Sequence, residues 1–216
     1  MPNGRRVFLT FMISLILIGI FQNRAYSQEI KYTWLTIQDD DGVIDSHWGQ
    51  CSLNTVLCKI INLDLDPSQI RQAKIKYQMA GAPYHEKTKT YYKEQTEGIK
   101  WADMVILLND KVVIQKPAIE LATKGWHEVS VSPELLKKGE NTIKFTWAKI
   151  PEDSSDDLSY GYFYLGIDTT NNYHRSCSSR DYGKTFSFET LRPGSPPNEL
   201  WQGEYMVRLE IAIPNE

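Results

Sequence analysis

Four aspartates within a seven-residue stretch are candidate metal ligands. Asp39, Asp40 and Asp41 precede Gly42, and Asp45 follows three residues later. Ca²⁺ prefers several carboxylate and carbonyl oxygens, which an acidic loop containing a glycine can supply. Asp39, Asp41 and Asp45 are therefore predicted calcium ligands. The complete EF-hand pattern is absent because no glutamate closes the loop, and a solvated acidic turn without a metal is the alternative.

Aromatic side chains in or beside predicted loops form a second group of candidates. Indole and phenol rings can stack on the apolar faces of sugar rings and still offer a polar atom for hydrogen bonding. Loops frequently carry binding residues, so five residues are predicted to contact a ligand: Trp48, Tyr91, Tyr92, Tyr182 and Trp201. The remaining tryptophans are predicted to be buried in strands or to have a structural role: Trp34, Trp101, Trp147 and Trp126.

No catalytic constellation is recognisable, and no catalytic residue is predicted. His47, His85, His127 and His174 occur singly, without the spacing of a metal-binding His-x-x-x-His or His-Glu-x-x-His motif. The sequence also lacks a Gly-x-Ser-x-Gly elbow and a phosphate-binding glycine loop. Two carboxylates distant in sequence could still meet in space, which leaves a small glycoside-active enzyme as an alternative.

The first 27 residues have the layout of a secretory signal peptide. Arg5 and Arg6 precede a run of 15 uncharged, mostly apolar residues, 7–21, and the small residues Ala25 and Ser27 lie before a predicted cleavage site at Gln28. The run is shorter than the roughly 20 residues of a membrane-spanning helix, although an uncleaved anchor is the alternative. We expect residues 1–27 to be removed and residues 28–216 to form a single β-sandwich domain, secreted into a periplasm or outside the cell.

Charge and cysteine content narrow the classes of partner. Cleavage would remove three arginines and change the formal net charge from −3 to −6, and the mature chain has no basic run of the kind that nucleic acids or anionic membranes attract. We expect no nucleic-acid binding and no membrane insertion after cleavage. In an oxidising compartment two of Cys51, Cys58 and Cys177 would pair. The local Cys51–Cys58 pair is favoured slightly, and Cys58–Cys177 or three buried thiols are the alternatives.

Short runs of β-branched and aromatic residues separated by turn residues predict an all-β fold, an antiparallel sandwich or barrel. Predicted strands cover residues 30–37, 55–63, 69–80, 101–108, 112–115, 160–168, 184–188 and 203–213, with two more on either side of a helical turn that begins at Ser132-Pro133. Asn109-Asp110 is predicted to form a tight hairpin turn, because both residue types tolerate positive φ. Residues 82–98 are predicted to be a long loop.

The segment Ser179-Arg180-Asp181-Tyr182-Gly183-Lys184-Thr185-Phe186 carries turn chemistry. The aspartate can accept hydrogen bonds from backbone N–H groups, and the glycine permits positive φ. Its pattern, Ser-x-Asp-x-Gly-x-Thr-aromatic, resembles the Asp-boxes of sialidases and other secreted sugar-active proteins, where the motif is usually structural. The resemblance implies an exported β-protein. Sialidase activity is not expected, because this chain has one copy and is too short for a propeller.

A second resemblance covers about residues 101–147. There a strand is followed by Leu135-Leu136, Gly139, Asn141 and Ile143, in the order Leu-Leu-x-x-Gly-x-Asn-x-Ile, and then by a core strand. This resembles the galactose-binding-like jelly roll, which implies an antiparallel β-sandwich and a structural calcium near the first strands.

Together these features predict a secreted, non-catalytic binding module for carbohydrate, with possible partners among glycans and extracellular proteins. The alternative is an exported structural or protein-interaction domain without a sugar site.

Overall fold

The computed structural model describes residues 31–43, 47–85, 90–91, 102–117, 124–148, 160–191 and 202–215. Within the chain, Thr33–Pro214 forms a compact unit. Among the described residues there is no helix of the length and apolarity needed to cross a membrane.

Thirteen strands are found within the described ranges. In chain order they are β1 (Tyr32–Ile37), β2 (His47–Cys51), β3 (Val56–Leu63), β4 (Gln72–His85), β5 (Thr90–Tyr91), β6 (Asp103–Leu108), β7 (Lys111–Pro117), β8 (Gly125–Val131), β9 (Gly139–Trp147), β10 (Tyr160–Asp168), β11 (Ser176–Ser179), β12 (Glu204–Tyr205) and β13 (Val207–Pro214). Short 3₁₀ turns occupy Pro67–Gln69 and Pro133–Leu135.

The strands form two antiparallel sheets in a sandwich-like arrangement, which confirms the predicted fold class. The five-stranded sheet has the order β11-β3-β9-β6-β7. The eight-stranded sheet follows the path β1-β13-β4-β10-β12, with β2 beside β10 and with β5 and β8 beside β4.

Alternation along the strands explains the core between the sheets. Ile75, Tyr77 and Met79 of β4 are all buried, because alternate side chains of a strand point to the same face. From the facing sheet, Phe145 of β9 meets Tyr77 with ring centroids 5.3 Å apart. Burial raises the pKa of Tyr77 to about 12, since the charged phenolate is poorly solvated there.

Strand β4 changes its partner on one side half-way along its length. Residues 72–77 pair with β13, and residues 79–84 pair with β10. Met206 lies at the junction, where its carbonyl accepts from the Gln78 amide (3.0 Å) and its amide donates to the Gly166 carbonyl (2.9 Å). One long strand therefore holds two others in a single sheet.

The predicted hairpin turn at Asn109-Asp110 is confirmed. These residues adopt φ of 50° and 65° between β6 and β7, as a two-residue hairpin turn requires. The predicted strand at residues 160–168 matches β10, and the predicted helical turn after Ser132 is the 3₁₀ turn Pro133–Leu135.

Several predicted elements are corrected. Strands β2 and β11 were not predicted from the sequence. Residues 184–188 make only an isolated bridge, Ser178 to Ser187, instead of a strand. The predicted loop 82–98 contains the end of β4 and all of β5. The sequence also predicts loops at residues 151–158 and 192–200, and both lie outside the described part of the chain.

The favoured Cys51–Cys58 disulfide is not formed in this structure, where all three cysteines are free and buried, and the two thiols lie on opposite faces of the five-stranded sheet. Cys51 belongs to the core between the sheets, and its thiol lies 3.4 Å from the Thr55 carbonyl oxygen. Cys58 alternates with the core residues Leu57 and Ile61, so it points to the outer face of the five-stranded sheet. Strand β3 therefore separates the two thiols.

A buried asparagine explains part of the Leu-Leu-x-x-Gly-x-Asn segment. The side-chain oxygen of Asn141, Oδ1, accepts hydrogen bonds from the Lys137 backbone amide (2.8 Å) and the Asn109 side chain (2.9 Å). The side-chain nitrogen of Asn141, Nδ2, donates to the backbone carbonyls of Lys137 (2.8 Å) and Gly139 (3.0 Å). Asn141 thus joins the 3₁₀ turn and the β6–β7 hairpin to β9.

We predict that Asn141→Ala lowers the free energy of unfolding by about 2–4 kcal/mol, because it removes the hydrogen bonds that this fully buried side chain makes with Lys137, Gly139 and Asn109. Urea denaturation measures the change. Asn62→Ala is the control, because exposed Asn62 on β3 bonds only with Asp64 among the contacts described for its side chain; its effect should stay within about 0.5 kcal/mol. Equal losses in the two variants would contradict this role for Asn141.

Candidate functional site

The acidic loop after β1 is held by cations. The Asp39 carboxylate lies 3.0 Å from Lys59 Nζ and 2.8 Å from Arg175 Nη1. The buried Asp40 carboxylate binds Arg208 through its Nε and Nη2 atoms. These two aspartates are therefore neutralised by protein cations in this structure.

The Asp41 side chain forms a hydrogen bond with the backbone of the same loop. Its Oδ1 atom accepts from the Val43 amide (2.7 Å), and its Oδ2 atom accepts from the Thr170 hydroxyl (3.3 Å). The Asp41 amide donates to buried Asp168 (2.8 Å). The loop is thereby fastened to the end of β10.

The predicted calcium ligands are not assembled into a cluster within the described residues, where no group of three or more His, Cys, Asp or Glu side chains is placed to hold a metal. Asp45 lies outside those residues. A calcium ion at Asp39 would have to compete with Lys59 and Arg175 for the same carboxylate. Calcium binding stays a prediction.

A buried ion pair lies next to the acidic loop. Lys59 Nζ is 2.6 Å from Glu204 Oε2, and neither side chain is exposed to solvent. Glu204 also accepts from the Ser176 hydroxyl (2.6 Å) and from the Tyr173 and Arg175 amides (2.8 and 3.1 Å). The four donors compensate for the loss of water around this carboxylate, so its arrangement is structural.

Three tryptophans lie on the outer surface of the eight-stranded sheet, and we call this surface the tryptophan face: Trp34, Trp48 and Trp126. Trp48 pairs with Gly166 of β10, and Trp126 pairs with Gln78 of β4. These four positions alternate with core residues, so their side chains point away from the interior. The exposed fractions are 44% for Trp34 and 39% for Trp126, and Trp48 is half-buried.

A cation lies over each indole of the tryptophan face. Lys74 Nζ is 5.4 Å from the Trp34 ring centroid, and Lys124 Nζ is 5.2 Å from that of Trp48. The Arg208 guanidinium is 4.3 Å from the Trp126 ring centroid. Such contacts attract through the ring quadrupole and restrict how the indoles turn.

Carboxylates complete the polar part of this surface. Lys74 pairs with Glu128 and Lys76 pairs with Glu210, each at 3.0 Å. Because Asp40 binds Arg208, the acidic loop also contacts this face. The surface therefore combines indoles with both hydrogen-bond donors and acceptors.

The predicted loop aromatics do not form one described site. Trp48 lies on β2 and belongs to the tryptophan face, whereas Tyr182 lies in the turn after β11 and is 72% exposed. For Tyr91 the backbone is described, in β5, but the side chain is not; Tyr92 and Trp201 lie outside the described residues.

The predictions for the other tryptophans have mixed outcomes. Trp147 is buried as predicted, Trp34 is exposed contrary to prediction, and Trp101 lies outside the described residues. Trp126 is partly exposed and joins the tryptophan face. Ile37 of the same strand packs against the core, so strand alternation puts Trp34 on the opposite, outer face. This alternation was not used in predicting Trp34 to be buried.

The turn at Ser179–Phe186 is built around one carboxylate. Asp181 accepts from the Thr185 amide (2.9 Å) and hydroxyl (2.7 Å), the Lys184 amide (3.0 Å) and the Ser179 hydroxyl (2.7 Å). Gly183 has φ of 81°, which favours glycine. These contacts place the segment in a structural role.

Hydrogen bonding to Asp181, first from the Thr185 amide and then from Ser179, holds the pKa of its carboxyl well below its usual range. A carboxylate with a lowered folded-state pKa contributes stability above its unfolded pKa of about 3.9, and this contribution is lost as the pH falls toward the folded pKa.

No protein-family model matches the chain, and no curated protein sequence was found to match it. The functional interpretation therefore depends on the geometry of the described residues.

We predict that the stability advantage of the natural protein over Asp181→Asn shrinks between about pH 5 and pH 2, because asparagine does not titrate in this range. Urea denaturation of both proteins at half-unit pH steps measures the difference. A difference that stays constant across the range would contradict the assigned role of Asp181.

Proposed function

We propose that this protein is a non-catalytic binding module that takes a carbohydrate chain on the tryptophan face. The observation that carries the proposal is the position of Trp34, Trp48 and Trp126 on one outer sheet surface. A sheet surface in this arrangement offers several stacking positions at fixed strand spacings of about 4.8 Å. An extended oligosaccharide presents repeated rings to such a surface.

The polar groups suit a ligand that is rich in hydroxyls. Sugar hydroxyls both donate and accept hydrogen bonds, and Lys74, Glu128 and Arg208 beside the indoles supply both kinds of partner. The Oε1 atom of Gln78 is buried and has no hydrogen-bond partner among the described residues.

The wider assignment is part of the proposal. Residues 1–27 would direct export as a signal peptide, and residues 28–216 would be one domain of the galactose-binding-like type. The strand, 3₁₀ turn and strand of β8 and β9, within two antiparallel sheets, support this resemblance. The hydrogen-bonded turn around Asp181 supports the Asp-box resemblance. A structural calcium would belong to the loop of Asp39 and Asp41.

A protein-interaction domain is the second candidate, and β1 favours it. This strand ends the described path of the eight-stranded sheet, and Trp34 and Leu35 within it are exposed. An exposed edge strand can accept a strand from a partner. In that case the partner would be an extracellular protein.

We expect the protein to be retarded in native gels that contain one or more soluble polysaccharides from a panel of xylan, galactan, mixed-linkage glucan and pectin. Trp126→Ala should weaken the binding at least about tenfold, equivalent to about 1.4 kcal/mol, because it removes a stacking surface. Isothermal titration with the retarding polysaccharide measures the affinity.

Tyr173→Ala is the matched control, because Tyr173 is an exposed aromatic residue that lies in the connection after β10 and not on the tryptophan face. Its affinity should equal that of the natural protein, and thermal unfolding should show that both variants fold. Tyr182→Ala tests whether the turn after β11 contributes to polysaccharide binding in addition to the tryptophan face. Absence of retardation by every polysaccharide, or equal losses in Trp126→Ala and Tyr173→Ala, would overturn the proposal.

A further inference from the structure

Two cysteines face each other across neighbouring strands. In the register of β3 and β11, Cys58 is the direct partner of Cys177. The Ile60 amide donates to the Arg175 carbonyl (2.7 Å) two positions along the same ladder, which places Cys58 and Cys177 in a hydrogen-bonded pair as well. Such pairs have Cα atoms about 5.5 Å apart, within the range of about 4.4–6.8 Å found in disulfides.

Both thiols lie on the outer face of the five-stranded sheet and are nevertheless buried. They are absent from the main core cluster, whose nearest member on β3 is Leu57. The turn around Asp181 approaches this outer face, because a Cβ atom built on Gly183 would lie 3.4 Å from Val56. Lys144, the partner of Cys58 on β9, places its ammonium 5.7 Å from the Phe186 ring centroid.

The two thiols differ in acidity. A hydrogen bond from Cys58, assisted by the positive charge of Lys144, lowers the pKa of Cys177. The same hydrogen bond, together with burial, raises the pKa of Cys58. Cys177 is therefore the better thiolate, and Cys58 retains its proton.

We propose that Cys58 and Cys177 form a cross-strand disulfide when the chain folds in the presence of a low-molecular-weight disulfide such as oxidised glutathione. The Cys177 thiolate attacks one glutathione sulfur, which forms a mixed disulfide and releases the first glutathione thiolate. Cys58, after losing its proton to solvent, attacks the Cys177 sulfur and releases the second. The protein loses two electrons and two protons, and one oxidised glutathione becomes two reduced molecules.

Cys51, the third cysteine, is excluded from this disulfide by its position. Cys51 points into the core between the sheets, where burial raises the pKa of its thiol. Its thiol lies 3.7 Å from the Phe145 carbonyl oxygen, on the interior side of the five-stranded sheet. The proposed Cys58–Cys177 disulfide would join residues far apart in sequence and tie β11 to β3. This inference does not depend on the proposed sugar site.

The test is refolding of the reduced, unfolded protein in a buffer of reduced and oxidised glutathione. Remaining thiols are then blocked with iodoacetamide, and tryptic peptides are analysed by mass spectrometry without reduction. The expected product links the peptide of Cys177 to the peptide that contains Cys51 and Cys58. Because the last two share one tryptic peptide, Cys51→Ala and Cys51→Ser identify the partner: both should keep the link.

Cys58→Ser and Cys177→Ser should abolish the link. Oxidation should raise the Tm of the Cys51→Ala protein by roughly 5–15 °C, from the usual stabilisation by long-loop disulfides. Three free thiols in the refolded natural protein, or a link that disappears in both Cys51 variants, would overturn the proposal. If a serine variant fails to fold, the natural protein and the two Cys51 variants still decide between these outcomes.

Discussion

Lys59 and Glu204 form a buried ion pair that joins the five-stranded sheet to the eight-stranded sheet. Removing two charges from water is costly, and the pair is tolerable because each charge has further partners: Asp39 for the lysine, and Ser176 and backbone amides for the glutamate. Removing one partner of such a pair leaves an uncompensated charge in the interior. The packing of this region is therefore strongly constrained by two residues that are 145 positions apart.

The same pair connects the interior to the proposed binding surface. Asp39 contacts Lys59, and its neighbour Asp40 binds Arg208, whose guanidinium lies over Trp126. In our account the acidic loop positions an aromatic surface through a chain of charged contacts. Of the three adjacent aspartates in this loop, two are neutralised by protein cations and the third bonds with the backbone.

Short runs of β-branched and aromatic residues between turn residues predicted the fold class. Burial on one face of a strand explains the period of two at residues such as Ile75 and Tyr77. The local sequence of β11, Ser-Cys-Ser-Ser, has weak strand propensity, and pairing with β3 makes it a strand. The sequence of residues 184–188 alternates, yet the hydrogen bonds around Asp181 take its first residues into a turn. Tertiary contacts determine such segments, so local patterns miss them. The outer sheet surface was predicted only in part: Trp48 stays a predicted ligand contact, whereas Trp34 was assigned to the interior although its alternation with Ile37 indicated the outer face. Lys59 within an apolar strand gave no signal of its distant partner.

A double-mutant cycle with Lys59→Met and Glu204→Gln tests most directly whether the Lys59–Glu204 pair couples the two sheets. Urea denaturation should show that each single substitution lowers the free energy of unfolding by about 3–5 kcal/mol. The double variant should lose less than the sum of the two by about 2 kcal/mol or more, because the second substitution removes the unpaired charge. Losses that add within about 0.5 kcal/mol would contradict the claim.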